Sequence, residues 1–204
     1  MSILSKSQSM GVAAVILAVS TLLSRFMGLV RDKIISWQFG AGGESDMYFA
    51  AFVVPDIINY LLAGGFMSIT LIPLLSKRFS EDEADGWRFY SCVLTWMAVC
   101  AMAVTALGML FAEPLANVVA PGLDPSRYAR LALFMRIVLP AQVFFLVGSC
   151  IIALLYLRRQ FTIPALTPLI YNGCIIFFGV TLPYSGLVHG MTGYCVGVVF
   201  GAGI

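Results

Sequence analysis

Charged residues are scarce in this sequence. Asp, Glu, Lys and Arg make up 11% of its 204 residues, whereas an average soluble domain carries about 25%. The formal net charge of +2 is too small for a surface that binds a polyanion, so no nucleic-acid partner is expected. Hydrophobic residues make up 60% of the chain. These proportions exclude a water-soluble single-core domain and a disordered chain, and they indicate an integral membrane protein.

The sequence also lacks the patterns on which metal sites, disulfides and common catalytic centres depend. His189 is the only histidine, and no HExxH, GxSxG or Walker motif is present. The cysteines are odd in number and form no CxxC pair, so they are interpreted as apolar packing residues. The acidic run at residues 81–85 lies among basic neighbours and is interpreted as a solvated loop rather than a metal site. We therefore predict no enzyme activity, no metal and no cofactor.

Five stretches without Asp, Glu, Lys or Arg predict the transmembrane helices. They are residues 7–24, 57–76, 89–112, 137–157 and 160–204. A spanning helix needs about 20 apolar residues, so the last stretch holds two helices, separated by the turn signal Pro183-Tyr184-Ser185-Gly186. The prediction is an all-α membrane protein with one domain over residues 1–204 and six spans, H1 9–37, H2 45–77, H3 89–112, H4 128–157, H5 162–182 and H6 186–204. Since the sequence ends inside an apolar run, we expect part of the functional unit to lie outside it.

Basic residues are distributed unequally between the two sets of connections. The segments that share a side with the N-terminus hold Lys6, Lys77, Arg78, Arg88, Arg158 and Arg159. The other side holds Arg127, with Arg130 at the start of H4. Because basic loops tend to stay in the cytoplasm, we predict a cytoplasmic N-terminus.

Glycines recur along H6 at helical spacing. Their intervals keep them on one helix face, where another helix can approach backbone to backbone. This predicted helix-packing set comprises Gly186, Gly190, Gly193, Gly197 and Gly201.

Two arginines lie in the second half of H1, where charge is costly. A central Arg costs about 2.5–3.5 kcal/mol on insertion scales, so Arg25 and Arg31 should face a wet cavity or a partner. Gly28 lies midway between them, which predicts a cationic notch in which an anion could approach the backbone. Guanidinium groups favour bidentate phosphate contacts. The alternative is that the arginines pair with nearby aspartates or that Arg31 snorkels to the interface, and the residues alone leave both open.

H2 combines helix-breaking residues with acids. Pro55 lies early in it, Gly64 and Gly65 near its middle, and Asp46 and Asp56 flank the first predicted bend. Proline removes a backbone hydrogen bond and favours a kink, so Pro55, Gly64 and Gly65 are predicted hinges. A broken helix with charge inside the membrane is typical of transporters.

Several short motifs, in order along nearly the whole chain, resemble the MurJ/MviN family of bacterial lipid II flippases. The H1 segment Ser24-Arg25-Phe26-Met27-Gly28-Leu29-Val30-Arg31-Asp32 resembles the family's SRxxGxxRD signature. Residues 39–42, 50–55, 63–66, 120–122 and 159–165 match further family motifs. Each motif is weak alone, and the ordered set is specific.

The resemblance implies most of the first lobe of a two-lobe transporter of the MOP superfamily, which flips lipid-linked peptidoglycan precursor across the bacterial plasma membrane. The second, C-terminal lobe would be a missing partner, and lipid II and membrane lipids would be the ligands. The family's substrate-binding residues would correspond to Arg25, Gly28, Arg31 and Asp46. Two departures are Asn59, where the family often has a basic residue, and Gly64, where it often has Glu.

The expected mechanism is alternating access, in which the arginines attract the pyrophosphate into a cavity between the lobes. Asp46 would pair with an arginine in one state only. Two other classes stay open: a MOP-type exporter of another lipid-linked oligosaccharide or of a drug, and a non-transporting membrane scaffold that binds partners through the H6 glycines. A polyprenyl-phosphate enzyme would need a clustered acid, base or metal set that this sequence lacks.

Overall fold

The computed structural model describes residues 10–40, 42–60 and 70–204. Within these ranges the regular structure is helical throughout, which confirms the predicted all-α class. The helices are α1 Met10–Phe39, α2 Glu44–Ala50, α3 Val53–Asn59, α4 Ile72–Glu81, α5 Glu83–Leu110, α6 Ala112–Val119, α7 Tyr128–Val138, α8 Ala141–Leu157, α9 Thr162–Tyr184 and α10 Thr192–Gly203. A short 3-10 turn, Pro125–Arg127, leads into α7.

Four segments of the described chain are long and apolar enough to cross a membrane. They are Gly11–Phe39, Glu83–Leu110, Pro125–Leu157 and Thr162–Tyr184, which correspond to the predicted H1, H3, H4 and H5. The predicted H2 is divided into α2, α3 and α4, and part of it, including the proposed hinge residues Gly64 and Gly65, lies outside the described residues. The predicted H6 is the shorter helix α10.

Prolines account for two of the helix interruptions. Pro55 has no N–H to donate to the carbonyl of Ala51, and the chain turns at Ala51–Phe52, between α2 and α3. Pro140 likewise leaves the carbonyl of Arg136 without its helical donor, and α7 gives way to α8 at this point. A helix is therefore interrupted within four residues before each of these prolines.

The glycine face of the last helix packs on α9. A Cβ on Gly197 would lie 2.8 Å from the Cα of Ile175, and one on Gly201 would lie 3.0 Å from the carbonyl oxygen of Tyr171. The two backbones can approach this closely only because neither position carries a side chain. The face predicted to bind another helix is thus covered by a helix of the same chain.

Two members of the predicted glycine set lie outside α10. Gly186 and Gly190 adopt φ angles of +74° and +59° in the connection before the helix begins at Thr192. Such left-handed backbone favours glycine at both positions, and a Cβ on Gly190 would also clash with the carboxylate of Glu44, which is not part of α9. The structure thus corrects the prediction: Gly193, Gly197 and Gly201 alone form the packing face.

Charged side chains pair at both ends of the helical bundle. At one end, Arg158 contacts Glu83 at 3.2 Å and Arg78 contacts Asp85 at 2.7 Å. Asp82 caps α5 by accepting a hydrogen bond from the N–H of Ala84 at 3.0 Å. The acidic run is therefore neutralised by arginines and a helix terminus.

At the opposite end of α5, Arg136 contacts Glu113 at 3.2 Å, and Glu44 contacts Arg130 at 3.0 Å. The connections H2–H3 and H4–H5 thus meet at one end of the bundle, whereas H1–H2, H3–H4 and H5–H6 meet at the other. This is the alternation that a chain crossing a membrane repeatedly requires.

Candidate functional site

A groove with polar and aromatic lining residues lies between α1, α2, α3, α8 and α9. It consists of two adjoining cavities of about 290 Å³ and 400 Å³. Phe52, Asp56 and Tyr171 line both cavities and so join them. We call the first cavity, which Arg31 lines, the arginine end, and the second, which Gln142 lines, the amide end. Each volume is within or close to the range of about 300–1,000 Å³ that is usual for ligand pockets.

Arg31 is held at the arginine end by two partners. Its Nε and Nη2 both lie 3.0 Å from Oδ1 of Asp32, and its Nη1 donates to Oδ1 of Asn172 at 3.2 Å. The side chain is 22% exposed. Because a guanidinium has five N–H donors, these contacts leave hydrogens on both Nη atoms for another acceptor.

Asn172 positions Arg31 from the opposite helix. Its Nδ2 donates to the carbonyl oxygen of Pro168 at 2.9 Å and to Oγ of Ser24 at 3.3 Å, which fixes its Oδ1 toward the guanidinium. One turn earlier in α1, Ser20 donates to the carbonyl oxygen of Ala165. A polar seam between α1 and α9 thus orients the Arg31 side chain independently of any ligand.

Buried polar atoms without partners are concentrated at this groove. Among the described residues, three buried side-chain atoms have no hydrogen-bond partner, namely the hydroxyl of Tyr48, Oγ1 of Thr105 and Oε1 of Gln142. Tyr48 lines the arginine end and Gln142 lines the amide end. Leaving a buried donor or acceptor unpaired costs about 1–3 kcal/mol, so two lining residues of one groove that each carry such an atom indicate a site that a polar ligand completes.

The structure brings only part of the predicted site together. Of the predicted substrate-binding residues, Arg31 lines the groove, together with Asp56 and with Asn59, the residue that replaces the basic side chain common in the resembled family. Arg25 and Asp46 are exposed and make no ion pair with a described residue. Arg25 is about 9 Å from Arg31 along the helix axis and about 120° around it.

Gly28 and Pro55, two further residues of the predicted site, have different surroundings. A Cβ on Gly28 would meet nothing within 4 Å, so the notch between the arginines is open. Pro55 is buried just after the turn between α2 and α3.

Sequence reasoning missed Tyr48, Gln142 and Tyr171. A signal for Gln142 was present, because it is a lone amide two residues after Pro140 in a stretch free of charge. Tyr48 and Tyr171 gave no such signal, because tyrosine is common in apolar helices and only the fold shows which hydroxyls are buried.

A second polar cluster ties three connections together away from the groove. Oε1 of Glu44 accepts from Nε and Nη2 of Arg130 at 3.2 Å and 3.0 Å, and its Oε2 accepts from the N–H of Met191 at 2.8 Å. Arg130 also donates to the carbonyl oxygen of His189 at 2.9 Å. Glu44 and Arg130 are thus fully used within the fold, which makes this cluster structural.

The chain is similar to a family of known transporters. The sequence model of the family "Lipid II flippase MurJ" matches residues 35–203. The probable lipid II flippase MurJ of Buchnera aphidicola subsp. Acyrthosiphon pisum is 31% identical over 166 residues, which are 80% of this chain and 32% of that protein. The lipid II flippase MurJ of Thermosipho africanus is 27% identical over 187 residues, which are 92% of this chain and 39% of that protein.

A solved structure shows the same architecture. It is described as lipid II flippase MurJ in an inward closed conformation, and it matches with a TM-score of 0.78 and 26% identity. The match covers 93% of this chain and 40% of the solved chain. The chain therefore spans about a third to two fifths of the length of the relatives that it matches.

Proposed function

This chain belongs to the MurJ family of lipid II flippases, and from that premise we propose that it is most of the first lobe of a two-lobe transporter. The transporter moves lipid II, the lipid-linked peptidoglycan precursor, from the inner to the outer leaflet of the bacterial plasma membrane. Its relatives are named as flippases, which are transporters rather than enzymes. Lipid II and the second lobe are the partners that this role requires.

The arginine end of the groove carries the proposal. Arg31 has free N–H donors beside the buried, unpaired hydroxyl of Tyr48, and both line a cavity of about 290 Å³. A pyrophosphate accepts hydrogen bonds from both groups and bears the negative charge that a guanidinium prefers. Nε of Arg31 keeps its hydrogen bond to Asp32, and Nη1 keeps its hydrogen bond to Oδ1 of Asn172. The ligand therefore binds an arginine that is already oriented.

Arg25, Gly28 and Asp46 take part at the edge of this site. Arg25 is exposed and unpaired among the described residues, so it attracts the anionic headgroup toward the same helix. The open space over Gly28 lets the headgroup pass between the two arginines. Asp46 competes with the phosphate for a guanidinium in one state of the cycle, which promotes release.

Transport proceeds by alternating access. The lobes rock about the site, and the interruption at Pro55 between α2 and α3, together with Gly64 and Gly65, absorbs the bending. The lipid tail stays in the bilayer while the headgroup crosses. The charge that moves with it couples the cycle to the membrane potential at about 2.3 kcal/mol per elementary charge per 100 mV.

The role of Arg31 is tested in a full-length flippase in which this chain replaces the matched segment of the Thermosipho africanus relative. Arg31→Gln keeps the hydrogen bond to Asn172 within reach but removes the charge, so we expect it to abolish rescue of bacteria depleted of their own flippase. Arg25→Gln should reduce rescue without abolishing it, because the charge of Arg25 attracts the headgroup but lies outside the groove.

Arg127→Gln is the matched control, because Arg127 lies in the 3-10 turn before α7, outside the groove. It should rescue as well as the unmodified protein. Full rescue by Arg31→Gln, at equal abundance in the membrane, would contradict the proposed phosphate site.

A further inference from the structure

The amide end of the groove differs chemically from the arginine end. Its described lining is aromatic and amide-bearing, with one carboxylate and no cation: Phe52, Asp56, Asn59, Gln142, Phe145 and Tyr171. Asp56 repels an anion at either end, and only the arginine end has a cation that offsets this repulsion. A neutral group with many hydroxyls is the ligand that such a lining suits.

Gln142 specifies what the ligand must supply. Its side chain is 2% exposed, and its Oε1 is buried without a hydrogen-bond partner. A carbonyl oxygen only accepts hydrogen bonds, so the group that completes it must be a donor. A phosphate at neutral pH is chiefly an acceptor, whereas a sugar hydroxyl is a donor.

The aromatic side chains give this end an apolar wall. Phe145 and Tyr171 pack edge to face with ring centroids 5.3 Å apart, and both line the amide end. Pockets that bind neutral polar ligands combine such apolar walls with a few placed polar groups. Asn59, on α3, faces the same cavity from the other side of the groove.

We propose that the amide end is a glycan subsite, in which Gln142 and Asn59 hydrogen-bond the sugar that is attached to the pyrophosphate held by Arg31. The inference rests on the proposed function and adds a specificity determinant to it. The two ends adjoin through Phe52, Asp56 and Tyr171, as a sugar bonded directly to the phosphate requires. A site built to hydrogen-bond a hydroxyl discriminates strongly against an analogue without it. The groove therefore distinguishes a glycosylated polyprenyl pyrophosphate from the bare carrier lipid.

Binding of two ligands to the full-length chimeric flippase described above, in lipid nanodiscs, tests the subsite. The probes are lipid II and undecaprenyl pyrophosphate, which share the lipid and the pyrophosphate and differ in the headgroup beyond it. The unmodified chimera should bind lipid II more tightly. Gln142→Met removes the acceptor at similar volume, so we expect it to weaken lipid II binding about tenfold and to leave undecaprenyl pyrophosphate binding unchanged.

Thermal unfolding separates this role from a structural one. Replacing an unpaired buried polar atom by an apolar one of the same shape is neutral or stabilising, so Gln142→Met should keep or raise the midpoint of unfolding. Thr105→Val is the matched control, since Oγ1 of Thr105 is also buried and unpaired but lines neither cavity. It should keep or raise the midpoint in the same way and leave the binding of both lipids unchanged.

Three results would overturn the subsite. Equal weakening of both ligands by Gln142→Met, or of neither, would show that the amide does not recognise the glycan, while the phosphate site at Arg31 would stand. A lowered unfolding midpoint would show that Gln142 serves the fold. Failure of the unmodified chimera to bind either lipid would overturn the proposed function as well.

Discussion

The guanidinium of Arg31 is hydrogen-bonded by protein groups through only part of its N–H donors. Such a side chain is held in place and can still bind an anion. Asp32 and Asn172 occupy part of its donor set and orient the rest toward the groove. The sequence predicted that Arg31 would either bind an anion or pair with a neighbouring acid. The structure shows the pairing with Asp32 and an open cavity beside it, so the two interpretations do not exclude each other.

Substitution of Asn59 tests whether this residue lines the open groove or is packed within the fold. It is half-buried and lines the amide end, so a longer side chain at this position has space. We expect Asn59→Arg to fold normally and to bind undecaprenyl pyrophosphate more tightly, because it adds a cation one helical turn from Asp56. Ala132→Arg is the contrast, since Ala132 is completely buried and an arginine there should prevent folding. Loss of folding in Asn59→Arg, measured by thermal unfolding, would show that Asn59 is packed.

The sequence drew attention to Arg31 but not to the uncharged residues that line the groove with it. Charge inside a transmembrane helix is costly wherever the helix packs, so Arg31 is conspicuous from its position in an apolar stretch alone. The importance of Tyr48 and Gln142 depends on burial without a partner, which is a property of helix packing. The spacing of residues along one helix does not show which side chains of α2 and α8 line a common groove.

The ends of α1 and α9 lie within two residues of the predicted ones, whereas the start of α5 does not. The helix α1 extends over Met10–Phe39 against the predicted 9–37, and α9 over Thr162–Tyr184 against 162–182. By contrast, α5 begins at Glu83, six residues before the predicted 89, because the cap at Asp82 and the pairing of Glu83 and Asp85 with arginines allow charged residues inside the helix. The predicted H6 began at 186, six residues before the observed start at Thr192, because the turn signal at residues 183–186 does not show how far the connection extends.

Two glycine-to-alanine changes, one at the contact between α9 and α10 and one away from it, are expected to have opposite effects on stability. Gly197→Ala places a Cβ 2.8 Å from the Cα of Ile175, so the two helices must separate, and we expect a loss of about 1–3 kcal/mol in the free energy of unfolding. Gly148→Ala, inside α8, meets nothing within 4 Å and should gain about 0.5–1 kcal/mol from the better helix former. Denaturant titration in detergent measures both, and an unchanged or increased stability in Gly197→Ala would contradict the backbone-to-backbone contact.

At the scale of the whole molecule, the chain has a covered side and an uncovered one. The glycine face of α10 is occupied by α9, which removes the surface on which a scaffolding role would depend. The exposed side of α1 carries large apolar side chains, among them Leu22, Phe26 and Leu29 at 64–68% exposure. In the proposed two-lobe transporter this face meets lipid and the second lobe, and Arg25 on it contributes charge to the space between the lobes.

The proposed orientation of the molecule makes a prediction about chemical access from each side. Glu81 lies at the end of the bundle where Arg158 meets Glu83, and Leu187 lies in the connection near Glu44 and Arg130, at the other end. With a cytoplasmic N-terminus, Glu81→Cys should react with a membrane-impermeant maleimide only after spheroplasts are lysed, whereas Leu187→Cys should react in intact spheroplasts. The exposed Cys92 and Cys100 are first replaced by alanine, and the double alanine variant alone measures background labelling. Reaction of both positions from the same side would contradict the alternation of the connections, and the reverse pattern would place the N-terminus, and the basic end of the bundle with it, outside the cytoplasm.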